Sequence, residues 1–292
     1  MSSLSQLRPL APPDTVPLFP ALHAQLLSIL RALEPADWEC PTVAGAWRVR
    51  DVAAHLLDGE LRTLAAHRDG HLLSPDGPVS SYADVVALIQ RLNATGVEFG
   101  RRLSPALLTD LLEVTGRWMS AFVATLDPDA PALFAVAWAG ETESNNRFDT
   151  AREYTERWHH QMQIRAAVGD RGKADVLLAH RFLEPLLDTS VLVLPYAYRD
   201  VAAAEGTALV LRVSELGRDA SALAWTLRRE DGRWRIYRGE LERATAQVTG
   251  SADAIWRLLF NALAPVEASK ALIASGPAEL VAPLWRARSV MV

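Results

Sequence analysis

The stretch Thr150–Gly169, TAREYTERWHHQMQIRAAVG, limits the possible folds of this chain more than any other. No proline or internal glycine interrupts it, and it reads as one long helix. Thr150 and Glu153 have capping-box spacing, and Gly169 stands where a helix ends. Glu156 and His160 lie four apart, so they project from one face, one turn above the other. A carboxylate and an imidazole so placed grip one divalent ion, but two ligands hold it weakly. A third must come from another segment. Tyr154, Trp158 and Met162 form a stripe at helical spacing, read as core. His159 points about 100° away from His160 around the helix and reads as a packing or surface residue. Arg157 and Arg165 would suit an anionic substrate; the plainer reading is surface charges or ion pairs.

The segment best able to supply the third ligand is Trp47-Arg-Val-Arg-Asp-Val-Ala-Ala-His55-Leu-Leu. It opens a helix expected over Val49 to His67. Taken alone, a histidine beside Val52, Leu56 and Leu57 is more often a satisfied core residue than a ligand. Other helices are expected from Leu18 to Leu33, with Leu22, Leu26, Ile29, Leu30 and Leu33 in phase, and from Tyr82 to Leu103. A further one runs from Ser104-Pro105 to about Leu126, the serine as N-cap and the proline at the first helical position. With the Thr150 helix these make a bundle, an architecture whose facing side chains commonly build metal sites. Residues 1–16 read as an irregular lead-in. Loops are expected at Glu34–Ala46, with Trp38 and Trp47 packing over it, and at Asp69–Ser80. A long connection runs from Asp127 to Asp149 and ends directly before the Thr150 helix, placed to cover a pocket mouth.

A Trp followed by Val-x-Asp-Val-Ala-Ala-His-Leu, and later Thr-Glu-Arg-Trp-x-His-Gln-x-Gln-Ile-Arg, resembles the DinB-like superfamily. More narrowly it resembles the mycothiol-dependent maleylpyruvate isomerase family. The resemblance implies a metal held by His55 on the second helix and by Glu156 and His160 on the last. It also implies a low-molecular-weight thiol, mycothiol or a relative such as bacillithiol, that adds to a substrate double bond, permits rotation and leaves. One position departs from the family pattern. Many members carry Asp three residues after the last-helix His, where this chain has Gln163. A glutamine hydrogen-bonds but takes no proton, so a base role there is in doubt.

After Arg171-Gly-Lys173 the pattern changes. Ala174–Leu187 reads as a connecting helix, and Val191–Leu194 as an apolar segment ending at Pro195. Then Leu209, Leu211 and Val213 alternate, as do Leu223, Trp225 and Leu227, and Trp234 and Ile236 follow Asp231-Gly232, a strong hairpin signal. Thr245–Val248 gives another strand, Ser251 caps a helix through Leu263, and Pro277–Arg286 reads as a last helix. An antiparallel sheet with helices on one side is an α+β layer. It resembles the sterol-carrier-like domain that accompanies the bundle in the same family. The expected organisation is therefore a DinB-like four-helix bundle over 1–172 and a smaller α+β domain over 173–292.

Two imidazoles and one carboxylate leave metal positions open, the pattern of a catalytic rather than a structural site. Zinc suits these ligands, and nickel, iron or manganese can also occupy them. The expected function is a metal-dependent enzyme using a thiol for isomerisation or S-transfer on a small electrophile. The alternatives are a metal-dependent hydrolase on the same site, separable by its indifference to added thiol, and a small-molecule-binding protein using Trp225 and Trp234. A thiol-sensing regulator ranks below both. The 292 residues carry a formal charge of −5, which argues against nucleic acid as a partner. No apolar run is long enough for a membrane span, and the first residues lack the apolar core of a secretory signal. Cys40 stands alone and reads as a buried, inert thiol. A cytoplasmic monomer or small homo-oligomer is the expectation.

Overall fold

The structure, a computed structural model, describes residues 7–73, 77, 79–214 and 223–290. Part of the expected lead-in and part of the Asp69–Ser80 loop lie outside them. The chain forms two compact units. One comprises Asp14–Leu133 and Asn145–Leu177. The other comprises the described residues of Met1–Pro13, Phe134–Ser144 and Leu178–Val292. The chain thus begins in the second unit, builds the first, visits the second at Phe134–Ser144, and crosses into it finally at Leu178.

The first unit is helical: α1 (Phe19–Ala32), α2 (Val49–Thr63), α3 (Tyr82–Gly100), α4 (Pro105–Val123) and α5 (Asn146–Ala167). The starts of α2, α3 and α4 have local causes. The Asp51 carboxylate accepts the Arg48 N–H at 3.0 Å, closing the first turn of α2. The same carboxylate, buried, receives the Arg101 guanidinium at 2.8 and 3.0 Å from the end of α3. Ser81 and Asp84 satisfy each other's backbone N–H at the start of α3, and Ser104 caps α4. Leu26, Leu30, Val52, Leu56, Leu112 and Ile164 meet in one buried cluster drawn from α1, α2, α4 and α5. After Thr63, α2 continues as one wide π-turn, Leu64–Arg68.

The Thr150 helix begins a turn earlier than its capping-box spacing suggests. Asn145 is the N-cap, its side-chain oxygen accepting the Phe148 N–H at 3.0 Å. Thr150 is buried inside the helix.

The second unit is built on a six-stranded sheet: β1 (Arg8–Pro9), β2 (Ala208–Val213), β3 (Ala224–Glu230), β4 (Arg233–Arg238), β5 (Ala246–Gly250) and β6 (Ile273–Ser275), in the order β1-β4-β3-β2-β5-β6. The β3–β4 hairpin turns at Asp231 and Gly232, with φ of 51° and 71°, the left-handed pair that a two-residue hairpin requires. Leu211 opposes Trp225, and Leu227 opposes Ile236, all buried. One expectation is corrected. The sheet is mixed, because β2 and β5 run parallel. Alternation places side chains on faces but is the same for either strand direction. The expected lead-in supplies β1, which pairs with β4 through Arg8↔Arg238 and Pro9↔Tyr237.

The helices of this region are shorter than their apolar patterns imply. Between α6 (Asp175–Leu178) and α7 (His180–Ser190) the chain breaks at Ala179, and α8 is Leu194–Ala197. Ser251 caps α9 (Ala252–Leu259), which ends as Asn261 takes a left-handed φ of 56°. α10 (Pro265–Ala271) and β6 carry no strong periodicity, and the last expected helix is only α11 (Ala278–Val281) with a 3-10 turn. Asp188 of α7 accepts hydrogen bonds from Trp225 and Arg238, both at 2.7 Å, joining α7 to the sheet.

Candidate metal centre

α5 is unusual for a buried helix. Its sequence is polar, yet Thr155, Arg157 and the whole run from Trp158 to Arg165 are buried. Buried polar groups need partners, and those partners show what each residue does. Gln161 donates to the Leu22 carbonyl at 2.9 Å, and Arg165 donates to the Gln25 carbonyl at 2.8 Å and to the Gly172 carbonyl. Both pin α5 to its neighbours. Arg157 pairs with Glu60 of α2 and, at 3.1 Å, with Glu153. Neither Arg157 nor Arg165 is a surface charge: Arg157 forms ion pairs, and Arg165 is bonded to backbone carbonyls. Tyr154, Trp158 and Met162 are fully enclosed core, as their stripe suggests.

His55, Glu156 and His160 come together. One ligand atom from each lies within 4.8 Å of the other two. The His55 and His160 rings meet edge to face, centroids 4.5 Å apart. The His160 Nε2 lies 3.5 Å from Glu156 Oε2. His55 faces Trp47, with ring centroids 5.0 Å apart. Trp47 therefore packs beside the centre as well as against the core.

The protonation states suit metal binding. Burial, reinforced by the neighbouring His160, holds His55 well below the usual imidazole range, leaving it neutral with a free lone pair. Burial alone would raise the Glu156 carboxyl. The neighbouring His160 and the Arg152 guanidinium outweigh it and hold Glu156 well below the usual carboxylate range. A divalent cation also accounts for an otherwise costly feature. The buried His55 Nδ1 has no hydrogen-bond partner among the described residues. Two imidazoles and an anionic carboxylate around such an atom fit a divalent metal.

His159 is not at the surface. Its ring lies against His160 at 3.9 Å between centroids, and its Nδ1 is bonded to the Thr155 carbonyl at 3.1 Å. Burial, with His160 beside it, pushes it down to about 3. Cys40 is half-buried, its sulfur 3.8 Å from the Ala36 carbonyl. Sequence reasoning passed over Arg152, one turn before Glu156. It pairs with Asp149 at 2.9 Å and contributes positive potential at the Glu156 carboxylate. Its spacing, four residues before Glu156, was the available signal.

A helical bundle that brings a Glu-x-x-x-His pair on one helix against a histidine on another belongs to the class of bundle proteins with a metal-type centre between facing helices. The family is specific. The model of the mycothiol maleylpyruvate isomerase N-terminal domain matches residues 19–165, just over half the chain, and the chain belongs to that family. Two solved structures are similar in fold over most of the chain: the mycothiol-dependent maleylpyruvate isomerase and a histidine-to-alanine mutant of it. Each is 14% identical, with 90% of this chain and 92% of the other covered, and TM-scores of 0.51 and 0.50. The DinB-like resemblance in the sequence, the bundle and the α+β second half agree with these matches. No curated protein matches the sequence. Among the described residues no helix is long and apolar enough to cross a membrane.

Proposed function

We propose that this protein is a metal-dependent enzyme that uses a low-molecular-weight thiol, mycothiol or a similar compound such as bacillithiol, for isomerisation or S-transfer on a small electrophile. The convergence of His55, Glu156 and His160 within 4.8 Å carries the reading. The family relationship supplies the thiol and the isomerase class. His55, Glu156 and His160 would hold the ion, most naturally zinc, with nickel, iron or manganese as other occupants. A divalent ion in such a site favours the deprotonated, nucleophilic form of a coordinated thiol. The chain's own residues prepare the place. Trp47 backs the His55 ring. Arg152 adds to the positive potential at Glu156, whose anionic oxygen is available as a donor to the ion. Gln163 stands where a carboxylate would be needed to take a proton, so proton acceptance falls to another group or to solvent.

The test is metal content of the purified protein beside a His55→Ala, His160→Ala variant, followed by a thiol-dependent isomerase and S-transfer assay with and without chelator. Near one ion per chain, lost in the variant, with thiol-dependent activity abolished by chelation, is the expected result. Turnover without added thiol would point to hydrolysis on the same site. Thiol-transfer activity that survives complete metal removal would overturn the proposal.

A further inference from the structure

Glu156, His160 and Gln163 occupy successive turns of α5, four and three residues apart. The first two are the α5 members of the candidate centre, and the third meets the far side of the second. Gln163 Oε1 lies 2.9 Å from His160 Nδ1, and both side chains are buried. An amide oxygen only accepts, so in this bond the ring donates from Nδ1. The lone pair is then at Nε2, the nitrogen that faces Glu156 at 3.5 Å. The same bond sets the ring's rotation, because Nδ1 must stay in line with the amide.

We infer that Gln163 is a positioning residue for the metal centre: it commits His160 to binding through Nε2 and fixes that nitrogen toward the ion. The inference rests on the metal-dependent reading proposed above. It also gives Gln163 a task that needs no proton transfer. A neutral acceptor orients an imidazole as a carboxylate does, while adding no negative charge and so less ligand basicity. With Gln163 neutral, Glu156 is the one anionic side chain among the three that would hold the ion.

The experiment compares zinc binding by the wild type, Gln163→Leu and Gln163→Glu in competition with a chromophoric chelator. Thermal unfolding of each metal-free protein serves as the folding control. In the zinc-loaded proteins, nitrogen-edited NMR locates the His160 ring proton. Gln163→Leu should fold normally yet bind zinc about 10–100-fold more weakly, and should lose the protected Nδ1 proton. Gln163→Glu keeps the acceptor and should bind at least as tightly as the wild type. Unchanged zinc affinity in Gln163→Leu, or a His160 ring proton found on Nε2 in the zinc-loaded wild type, would overturn this inference while leaving the metal reading intact. If Gln163→Leu fails to fold, weaker binding by Gln163→Glu than by the wild type overturns it in turn. Absence of binding of zinc, nickel, iron and manganese alike in the wild type would overturn both.

Discussion

Glu60 of α2 and Arg157 of α5 form an ion pair inside the bundle, with Glu60 1% exposed and Arg157 8%. Thr115 of α4 donates its hydroxyl to the other Glu60 oxygen, and Glu153 takes the second Arg157 nitrogen at 3.1 Å. Burial pushes the Glu60 carboxyl up, and the Arg157 cation opposes it. Removing one partner strands the other charge in the core. Arg157→Met should therefore cost about 3–5 kcal/mol, and the double change Glu60→Leu, Arg157→Met clearly less than the sum of the two single changes. Urea denaturation of the four proteins measures this. Additive losses would mean that the two side chains do not act as a pair.

His23 of α1 packs on this cluster, its Nδ1 3.9 Å from Glu60. Burial, then repulsion from Arg157, holds it down to about 4; Glu113 pulls the other way, and Arg117 and Arg31 add smaller repulsions. The folded state therefore keeps His23 neutral, while the unfolded chain takes up a proton below its ordinary value of 6.5. The stabilisation is complete above pH 6.5 and drains away as pH falls toward 4, by up to about 3 kcal/mol. The difference in stability between wild type and His23→Gln should shrink over that interval. A constant difference from pH 7 to 4.5 would show that His23 titrates alike in both states.

The His23 ring is seated against Gly116 of α4, where an added Cβ would overlap the ring. Gly116→Ala should destabilise the bundle by about 1–3 kcal/mol through overpacking. Combined with His23→Ala, much of that loss should be recovered, since the obstructing ring is gone. Thermal denaturation of the single and double variants decides it; an unaltered melting point for Gly116→Ala alone would show that the ring moves aside freely.

In the sheet unit, Asp188 is the shared acceptor for the Trp225 indole N–H and the Arg238 guanidinium. Trp225 is fully buried, so Asp188→Ala leaves its N–H unpaired. A loss of about 1–3 kcal/mol is expected, with Asp188→Asn recovering the indole bond but not the ion pair. Near-ultraviolet circular dichroism during denaturation follows the effect. Equal behaviour of the alanine and asparagine variants would remove the indole bond from the explanation.

The bundle was legible because its helices carry strong three- and four-residue apolar spacing and visible caps, as at Ser104-Pro105. That Glu156 and His160 share a helix face was legible from spacing alone, and the approach of His55 to them only through the residues around it. What the sequence hid was mostly non-local. Nothing in Thr150 and Glu153 reveals that Asn145 caps the helix first. Nothing near Arg157 names Glu60, ninety-seven residues away. Strand alternation at Leu209 and Val248 could not show that β2 and β5 run parallel. The two-residue strand at Arg8–Pro9 is too short to carry any pattern and exists because β4 offers it an edge.

That small strand governs how the chain can be divided. The bundle is an insertion in the sequence of the sheet unit, entered after β1 and left before β2. A fragment ending at the polar break near Arg171 would carry β1 without the strand it pairs with. A fragment starting near Leu178 would leave the β4 edge bare, open to a second copy of itself. On the ribosome, β1 emerges before the bundle and its partner β4 after it, so the helical unit can close while the earlier strand still waits.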